Sequence, residues 1–571
     1  MKQNNEKKSR SRKFAIIGIL FAIVILLVAT LKGQNSGESI LEYRGVVDTS
    51  LPEHPYLAQS EMSKTHANAY STGAFMTAGP TGPSQTLSKD DYDHISSVPF
   101  LISMQYSSPY PDGKQVIWIS QTERVMKVDV TEDEIVPIDT LYLDELPEEY
   151  IDKNTSKVAP INDLKLFGLH TMYSFLKDEA LEKQANKMIP KVDWSETVYS
   201  GVYSMLDRDG NFYVAHDRKI IIYTDSVQGD RNSPISVKGQ YLLDEEKIDP
   251  KGTIMGVSMT WDGYIAIMTT TGEVAVVSRD LKEEHYIDIE DAGVIRNSLA
   301  VCEDGGIYIV TDTKMCRVQW TGSELTQSEE KGAWEASYEY SLDQDGLPTG
   351  SGSTPSLMGF GNDDQFVVFT DGCDVNNMVL MWRDEIPEDW EQIQGTKSRR
   401  IAAQVPVDFG DPELDLSFSE QSVLVNGYGC MAVNNIFTDT RTGEKRYVTS
   451  TEHMMANRAE YLKVPYGIQK FEWDSESRIL ASAWVNNEVS SPSNVPCMSV
   501  GSNMVYINSP YEDKWSLAGI DWTTGETEFR YMFPDNNMKY SACAAEMQVL
   551  PNGDIMHGTF YGLMRIKNQD Q

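Results

Sequence analysis

Ser204-Met205-Leu206, then Asp209-Gly210, then Phe212-Tyr213-Val214: a short apolar run, a turn pair that tolerates positive φ, and a second apolar run. The same order returns as Ser258-Met259, Asp262-Gly263 and Tyr264-Ile265-Ala266-Ile267, and again as Ser298-Leu299-Ala300-Val301, Asp304-Gly305 and Ile307-Tyr308-Ile309. A weaker copy near the end of the chain reads Met547-Gln548-Val549-Leu550, Asn552-Gly553 and Asp554-Ile555-Met556. Third strands follow at residues 219–223 (KIIIY), 273–277 (EVAVV) and 315–320 (MCRVQW), and less regular units surround 366–382, 423–437, 471–484 and 504–522. Residues 115–130 supply one more hairpin in front of the regular copies. Units at a spacing near ~40 to 50 residues predict an all-β chain, a β-propeller of about seven or eight blades. Radial closure of small blades removes the free strand edges that an open sheet of this size would expose. Two packed β domains are the alternative.

Working outward, this pattern predicts one β domain over 96–571, interrupted at 161–188 by a stretch with helical spacing of its apolar residues that ends before Pro190. Residues 32–95 are rich in Ser, Gly, Pro, Thr and acids without a sustained hydrophobic period, the composition of a stalk or extended segment. In front of them, 14–31 (FAIIGILFAIVILLVATL) is uncharged, long enough to cross a bilayer, and preceded by a basic tail, 1–13. This predicts a single transmembrane helix, with the N-terminus cytoplasmic and the main domain periplasmic or extracellular. A cleaved signal peptide shares the basic start but ends in a small-x-small site, of which Val28-Ala29-Thr30-Leu31-Lys32 is a poor version.

The chain carries 85 acids against 49 Lys and Arg, a net charge of −36. Such a surface repels nucleic acid and anionic lipid, so no nucleic-acid partner is expected. Six cysteines without a CxxC pair or zinc spacing argue against a metal-thiolate site. No nucleophile elbow, HExxH, Walker loop or dinucleotide fingerprint occurs in a strand-to-helix context. The Asp-x-Asp-Gly runs at 207–210 and 343–346 begin like a calcium loop but lack the later Glu, and read better as turns.

Candidate site residues are therefore polar groups at strand ends. Small residues at 350–356 allow close backbone approach, and Asp371, Asp374 and Asn376 follow the apolar run 366–369, offering oxygens to a cation or a sugar. Asn434, Asn435 and Asn486 end other strands, and His216 and His557 are candidate acids or bases within repeat units. Each of these residues is equally at home in a turn. Trp118, Trp382, Trp473, Trp484 and Trp522 lie in or just after strands, where packing between blades is expected.

Arg296-Asn297-Ser298-Leu299-Ala300-Val301 with Asp304-Gly305-Gly306-Ile307-Tyr308 resembles the N-G-L/I-A-V-x-x-D-G-x-I/V-Y turn of calcium-dependent gluconolactonase and paraoxonase propellers and of NHL repeats, with Ser298 in place of the usual Gly or Asp. That resemblance implies Asn297 as a ligand of channel calcium; the family's metal-binding Glu and Asp have no definite match in this sequence, and Asp371 and Asp374 are candidate metal ligands only by their place at a strand end. More broadly the chain resembles exported propellers of quinoprotein-like, NHL and gluconolactonase-like type, without the tryptophan-docking repeat of the pyrroloquinoline quinone enzymes. Two functions are expected from this. One is a membrane-anchored binding or scaffolding module for an envelope protein or a glycan; the alternative is a calcium-dependent hydrolase of lactonase type.

Overall fold

In a computed structural model, residues 51–96, 102–121, 124–132, 134–142, 203–341, 349–361, 364–447, 462–492, 494–541, 546–559 and 562–570 are described. Their strands are short because glycine-bearing turns interrupt the apolar runs every few residues. In the three regular copies and the closing one, Gly210, Gly263, Gly305 and Gly553 hold φ between 79° and 88°, the left-handed region that the Asp-Gly and Asn-Gly pairs were read to supply. Asp207 shows how such a turn is locked. Its Oδ1 accepts the backbone N–H groups of Asp209 (3.0 Å) and Asn211 (2.8 Å), and its Oδ2 accepts the Tyr213 hydroxyl at 3.0 Å. The run 207–210 is thus a turn; 343–346 lies outside the described residues.

Nine sheets result among the described residues, eight of them forming blades built on antiparallel strands. Their first strands are Ser103–Tyr106, Ser204–Leu206, Ile254–Met259, Ala300–Val301, Ser356–Met358, Leu424–Asn426, Cys497–Ser499 and Met547–Val549, which number the blades 1 to 8. A separate three-stranded sheet (Ile436–Asp439, Lys445–Tyr447, Leu462–Lys463) is inserted between the second and third strands of blade 6. Apolar clusters join blade to blade right round the ring. One links blades 1 and 2, one blades 2, 3 and 4, then 4 with 5, 5 with 6, 6 with 7, and the last unites blades 7, 8 and 1. Between blades 5 and 6 the expected tryptophan packing is present: Trp382 and Trp473 meet edge to face at 6.0 Å. The ring closes where Tyr92–Ser96, from the front of the chain, pairs antiparallel with Gly562–Ile566 as the outer strand of blade 8. Burial leaves Cys302, Cys316, Cys430 and Cys497 as free thiols inside, with Cys373 half-buried.

Several expectations are revised. The single-pass membrane placement is corrected: among the described residues no helix is long and apolar enough to cross a membrane. The stretch that carried it, 14–31, lies outside the described residues, as do the basic tail 1–13, residues 32–50 and the helical stretch 161–188. Residues 51–95, read as part of a stalk, are instead folded into the ring. Their small polar side chains do not bury enough apolar surface to show a period, yet their backbone is paired like that of a strand. Beside the closing strand, Ala74–Phe75 runs parallel to Cys497–Ser499 and Gln85–Thr86 parallel to Thr527–Met532, widening blade 7 to six strands.

Candidate functional site at the plugged channel

The first strands of the eight blades line the axis of the ring, and their free edges need partners. Residues 56–76 supply them. Tyr56 O accepts the N–H of Arg208 at the turn that ends the first strand of blade 2, and Ser63 O accepts that of Leu206. Thr65 N–H donates to Ser204 O at the other end of the same strand. The chain then reverses through His66, Ala67 and Ser71, all at positive φ (69°, 74° and 58°), and returns. On the way back Ala69 O, Tyr70 O, Thr72 O and Gly73 O accept the N–H groups of Val301, Leu357, Val425 and Met498, on blades 4 to 7 in turn. Met62 O takes Tyr106 N–H of blade 1, and His54 Nε2–H donates to Met259 O of blade 3 at 3.1 Å. The segment is a hairpin plug, inserted from the face that carries the turns between first and second strands.

Between its two legs, on that face, lies a cavity of about 470 Å³. Its wall combines the rings of His54, Tyr70, Trp261 and Phe360 with the amide of Asn426 and the carboxylates of Glu53 and Glu61. The rings are mutually braced: His54 meets Trp261 at 4.1 Å and Tyr70 meets Phe360 at 4.7 Å, both edge to face. The Tyr70 hydroxyl donates to Glu303 at 3.0 Å. His54 is held as the neutral Nε2–H tautomer, because Nδ1 accepts the N–H groups of Tyr56 and Leu57 and burial lowers its pKa to about 4. Asn426, half-buried, closes the wall from the end of the first strand of blade 6. Trp261 and Phe360 sit in turns between first and second strands, which is why rings from different blades reach one mouth.

At the tip of the plug a second group of polar side chains converges. His66 Nε2 lies 3.0 Å from Thr354 Oγ1 and 3.1 Å from Ser422 Oγ. His66 Nδ1 lies 2.9 Å from Glu546 Oε1 without a hydrogen bond between them, and Oε1 accepts the His66 backbone N–H. Thr354, Ser422 and Glu546 each precede the first strand of a blade (5, 6 and 8) by one or two residues, so all three reach the same end of the axis. Lys64, fully buried, donates to Ser71 Oγ at 3.1 Å; burial lowers its ammonium to about 8 against the pull of Glu546.

The residues singled out in the sequence lie at the same end of the blades but not in this group. Asn297, just before blade 4, accepts the Tyr203 hydroxyl at 3.4 Å, and Tyr203 in turn faces the His66 ring at 6.4 Å. Asp371 is consumed by its own turn: Oδ1 accepts Asn377 N–H (2.8 Å) and Oδ2 the Asn377 amide (2.6 Å), while burial lifts the carboxyl to about 6. Asp374 is exposed, and its carbonyl accepts Ser417 N–H. Asn376 acts as a staple into the following blade, accepting the N–H of Ser419 at 2.8 Å, while Asn435 accepts the N–H of Glu420, at the entry to its own blade, at 2.8 Å and donates towards the next blade at Ser491 O, 3.3 Å away. Asn434 caps its turn through Ile436 N–H, and Asn486 donates across to Gly525 O at 2.8 Å. His216 and His557 stand in the second strands of blades 2 and 8, each driven neutral by burial to about 4. The strands ending at Asp371 and Asn434 are second strands, not axial ones. Among the described residues no group of three or more His, Cys, Asp or Glu side chains is arranged to hold a metal ion.

His66, Ser422, Glu546 and the ring-lined mouth carried no recognisable motif. The run 61–73 (EMSKTHANAYSTG) looks like linker, and its signal would have been the mixture of one histidine and one lysine with small residues that permit burial. Within the small-residue run 350–356, Thr354 approaches the plug.

Fold and site together define an eight-bladed β-propeller whose axial channel is filled by the chain's own leading segment. No family model matches the chain. An uncharacterized protein of Archaeoglobus fulgidus is 34% identical over 531 residues, covering 91% of this chain and 89% of that protein, and the chain belongs to its family. Among solved structures, quinohemoprotein alcohol dehydrogenase from Comamonas testosteroni aligns over 89% of this chain and 81% of its own, with 10% identity and a TM-score of 0.46. Virginiamycin B lyase from Staphylococcus aureus aligns over 63% and 92%, with 9% identity and a TM-score of 0.34. BamB from Moraxella catarrhalis aligns over 61% and 93%, with 10% identity and a TM-score of 0.31. These are propeller proteins, and the likeness is one of fold.

Proposed function

We propose that the protein is a binding module whose ligand seats in the mouth cavity between the legs of the plug, and that this ligand is a neutral sugar unit of a glycan. The observation that carries the reading is the cavity wall: aromatic rings from the plug and two blades around one concave space, with a few polar groups among them. Ring faces suit the C–H faces of a pyranose, and the Asn426 amide is placed to bond its hydroxyls. A net charge of −36 disfavours phosphate- or sulfate-bearing ligands at the same mouth.

Calorimetric titration with a panel of neutral oligosaccharides tests this. At least one should bind, and Trp261→Ala should weaken it about 10-fold or more, near 1.4 kcal/mol, in protein that circular dichroism shows to be folded. Absence of binding across the panel, or binding indifferent to Trp261→Ala, sinks the reading.

A further inference from the structure

We propose that the tip of the plug is a second, chemically distinct site: an acyl-transfer centre in which Ser422 is the nucleophile, His66 its general base, and Glu546 the positioning residue for His66. With Ser422 only 8% exposed, the substrate class the site would take is a small carboxylic ester.

The case rests on geometry. A nucleophilic hydroxyl, an imidazole nitrogen and a carboxylate oxygen stand in sequence, with 3.1 Å from Ser422 Oγ to His66 Nε2 and 2.9 Å from His66 Nδ1 to Glu546 Oε1. A base within hydrogen-bond reach of a hydroxyl is the arrangement that activates serine, and Glu546, which makes no hydrogen bond to the ring Nδ1 here, holds the turn that carries His66 by accepting its backbone N–H. The two hydroxyls that share Nε2 are not equivalent. Thr354 Oγ1 is tied down by the backbone N–H of Ser298 at 3.2 Å and is fully buried, whereas Ser422 keeps 8% of its surface exposed and has His66 as its side-chain partner. Ser422 is therefore the hydroxyl free to leave its partner.

Two independent features point to an occupant. Ser298 Oγ and Glu546 Oε2 are buried here without a hydrogen-bond partner among the described residues, polar atoms available to a bound polar molecule. His66 also sits at φ 69°, a conformation that costs a non-glycine residue of order 1–3 kcal/mol and that clusters at functional sites.

In the reaction, Ser422 Oγ bonds to the ester carbonyl carbon while its proton passes to His66 Nε2. That proton then goes to the departing alkoxide, releasing an alcohol and leaving an acyl-serine. Water attacks the acyl-serine with His66 again taking a proton, which returns to Ser422 Oγ as the acid leaves. No oxidant or metal enters the balance.

The test is labelling of the full chain with a fluorophosphonate probe and, separately, acylation by p-nitrophenyl acetate, each read by intact mass and peptide mapping. One adduct on Ser422 is expected. Ser422→Ala should abolish it, and His66→Gln should slow it about 100-fold or more. Glu546→Gln should slow it similarly while Glu546→Asp restores part of the rate, which a purely architectural role would not do. Circular dichroism and thermal unfolding establish that each variant is folded, and Ser422→Ala, which removes one oxygen, is the variant least able to disturb the ring. Failure of both reagents to modify Ser422 in folded protein, or modification of Thr354 instead, overturns the proposal. Sugar binding at the mouth does not depend on Ser422, so the two readings fail separately.

Discussion

A histidine carried by a tight turn into the middle of a ring of strands is held there by what surrounds it, and so are several others. His54, His94, His216 and His557 are all driven neutral by burial, to about 4, 3, 4 and 4. In the unfolded chain each titrates near 6.5. As pH falls below that value the unfolded state takes up protons before the folded one, so the stability these groups contribute is complete above pH ~6.5 and is lost on the way down to ~4. For His557, fully buried, the difference amounts to about 3 kcal/mol. Asp371 works in the opposite sense, its carboxyl lifted by burial so that its contribution is lost as pH rises through about 6. Thermal unfolding followed on acidification should therefore show Tm falling once pH drops below ~6.5, and His557→Gln should shrink the fall. A Tm that rises on acidification would contradict the burial of these rings.

At the scale of elements, the plug is a strand without strand composition. Each hydrogen bond it makes to an axial strand is worth only about 0.5–1.5 kcal/mol net, but losing one leaves a buried N–H unpaired at a cost of about 1–3 kcal/mol. Hydrogen exchange should accordingly find Leu206, Val301, Leu357, Val425 and Met498 protected like core amides, since each donates to the plug. Rapid exchange at all five would mean the hairpin is not seated. Gly263 offers a second probe. It has φ 88°, and an added Cβ would stand 2.9 Å from the Tyr56 ring on the plug. Gly263→Ala should cost about 1–2 kcal/mol from the backbone alone and should make residues 51–76 more sensitive to protease. The mixed composition of this segment explains why it read as stalk: its pairing is satisfied by backbone groups, which leave no period in the side chains.

For the molecule as a whole, closure depends on one strand from the front of the chain completing the last blade. Leu563, at 0% exposure, lies in the cluster that unites blades 7, 8 and 1, so Leu563→Ala should cost about 2–5 kcal/mol. If the ring unfolds as a unit, circular dichroism will show a single transition shifted to lower temperature rather than an early phase followed by the rest. The blade count belongs to this scale too. The regular copies at 204–214, 258–267 and 298–309 announced their blades through Asp-Gly turns, and the third strand read at 273–277 is found there as Glu273–Val277. The sixth blade was harder to read, since a separate sheet interrupts it between Val433 and Ile468.

The sequence by itself determined the class of fold and the position of the repeating turns, because short apolar runs and Asp-Gly pairs are local features that act within a few residues. It also determined the acidic surface, which is a matter of composition. Only the tertiary structure decided which strands face the axis, that the leading segment fills it, and that the asparagines at strand ends staple one blade to the next. It also decided that His66 meets Ser422 and Glu546. Those three residues are separated by more than a hundred positions along the chain, and no local physical preference links them until the ring has closed and its axis has been filled.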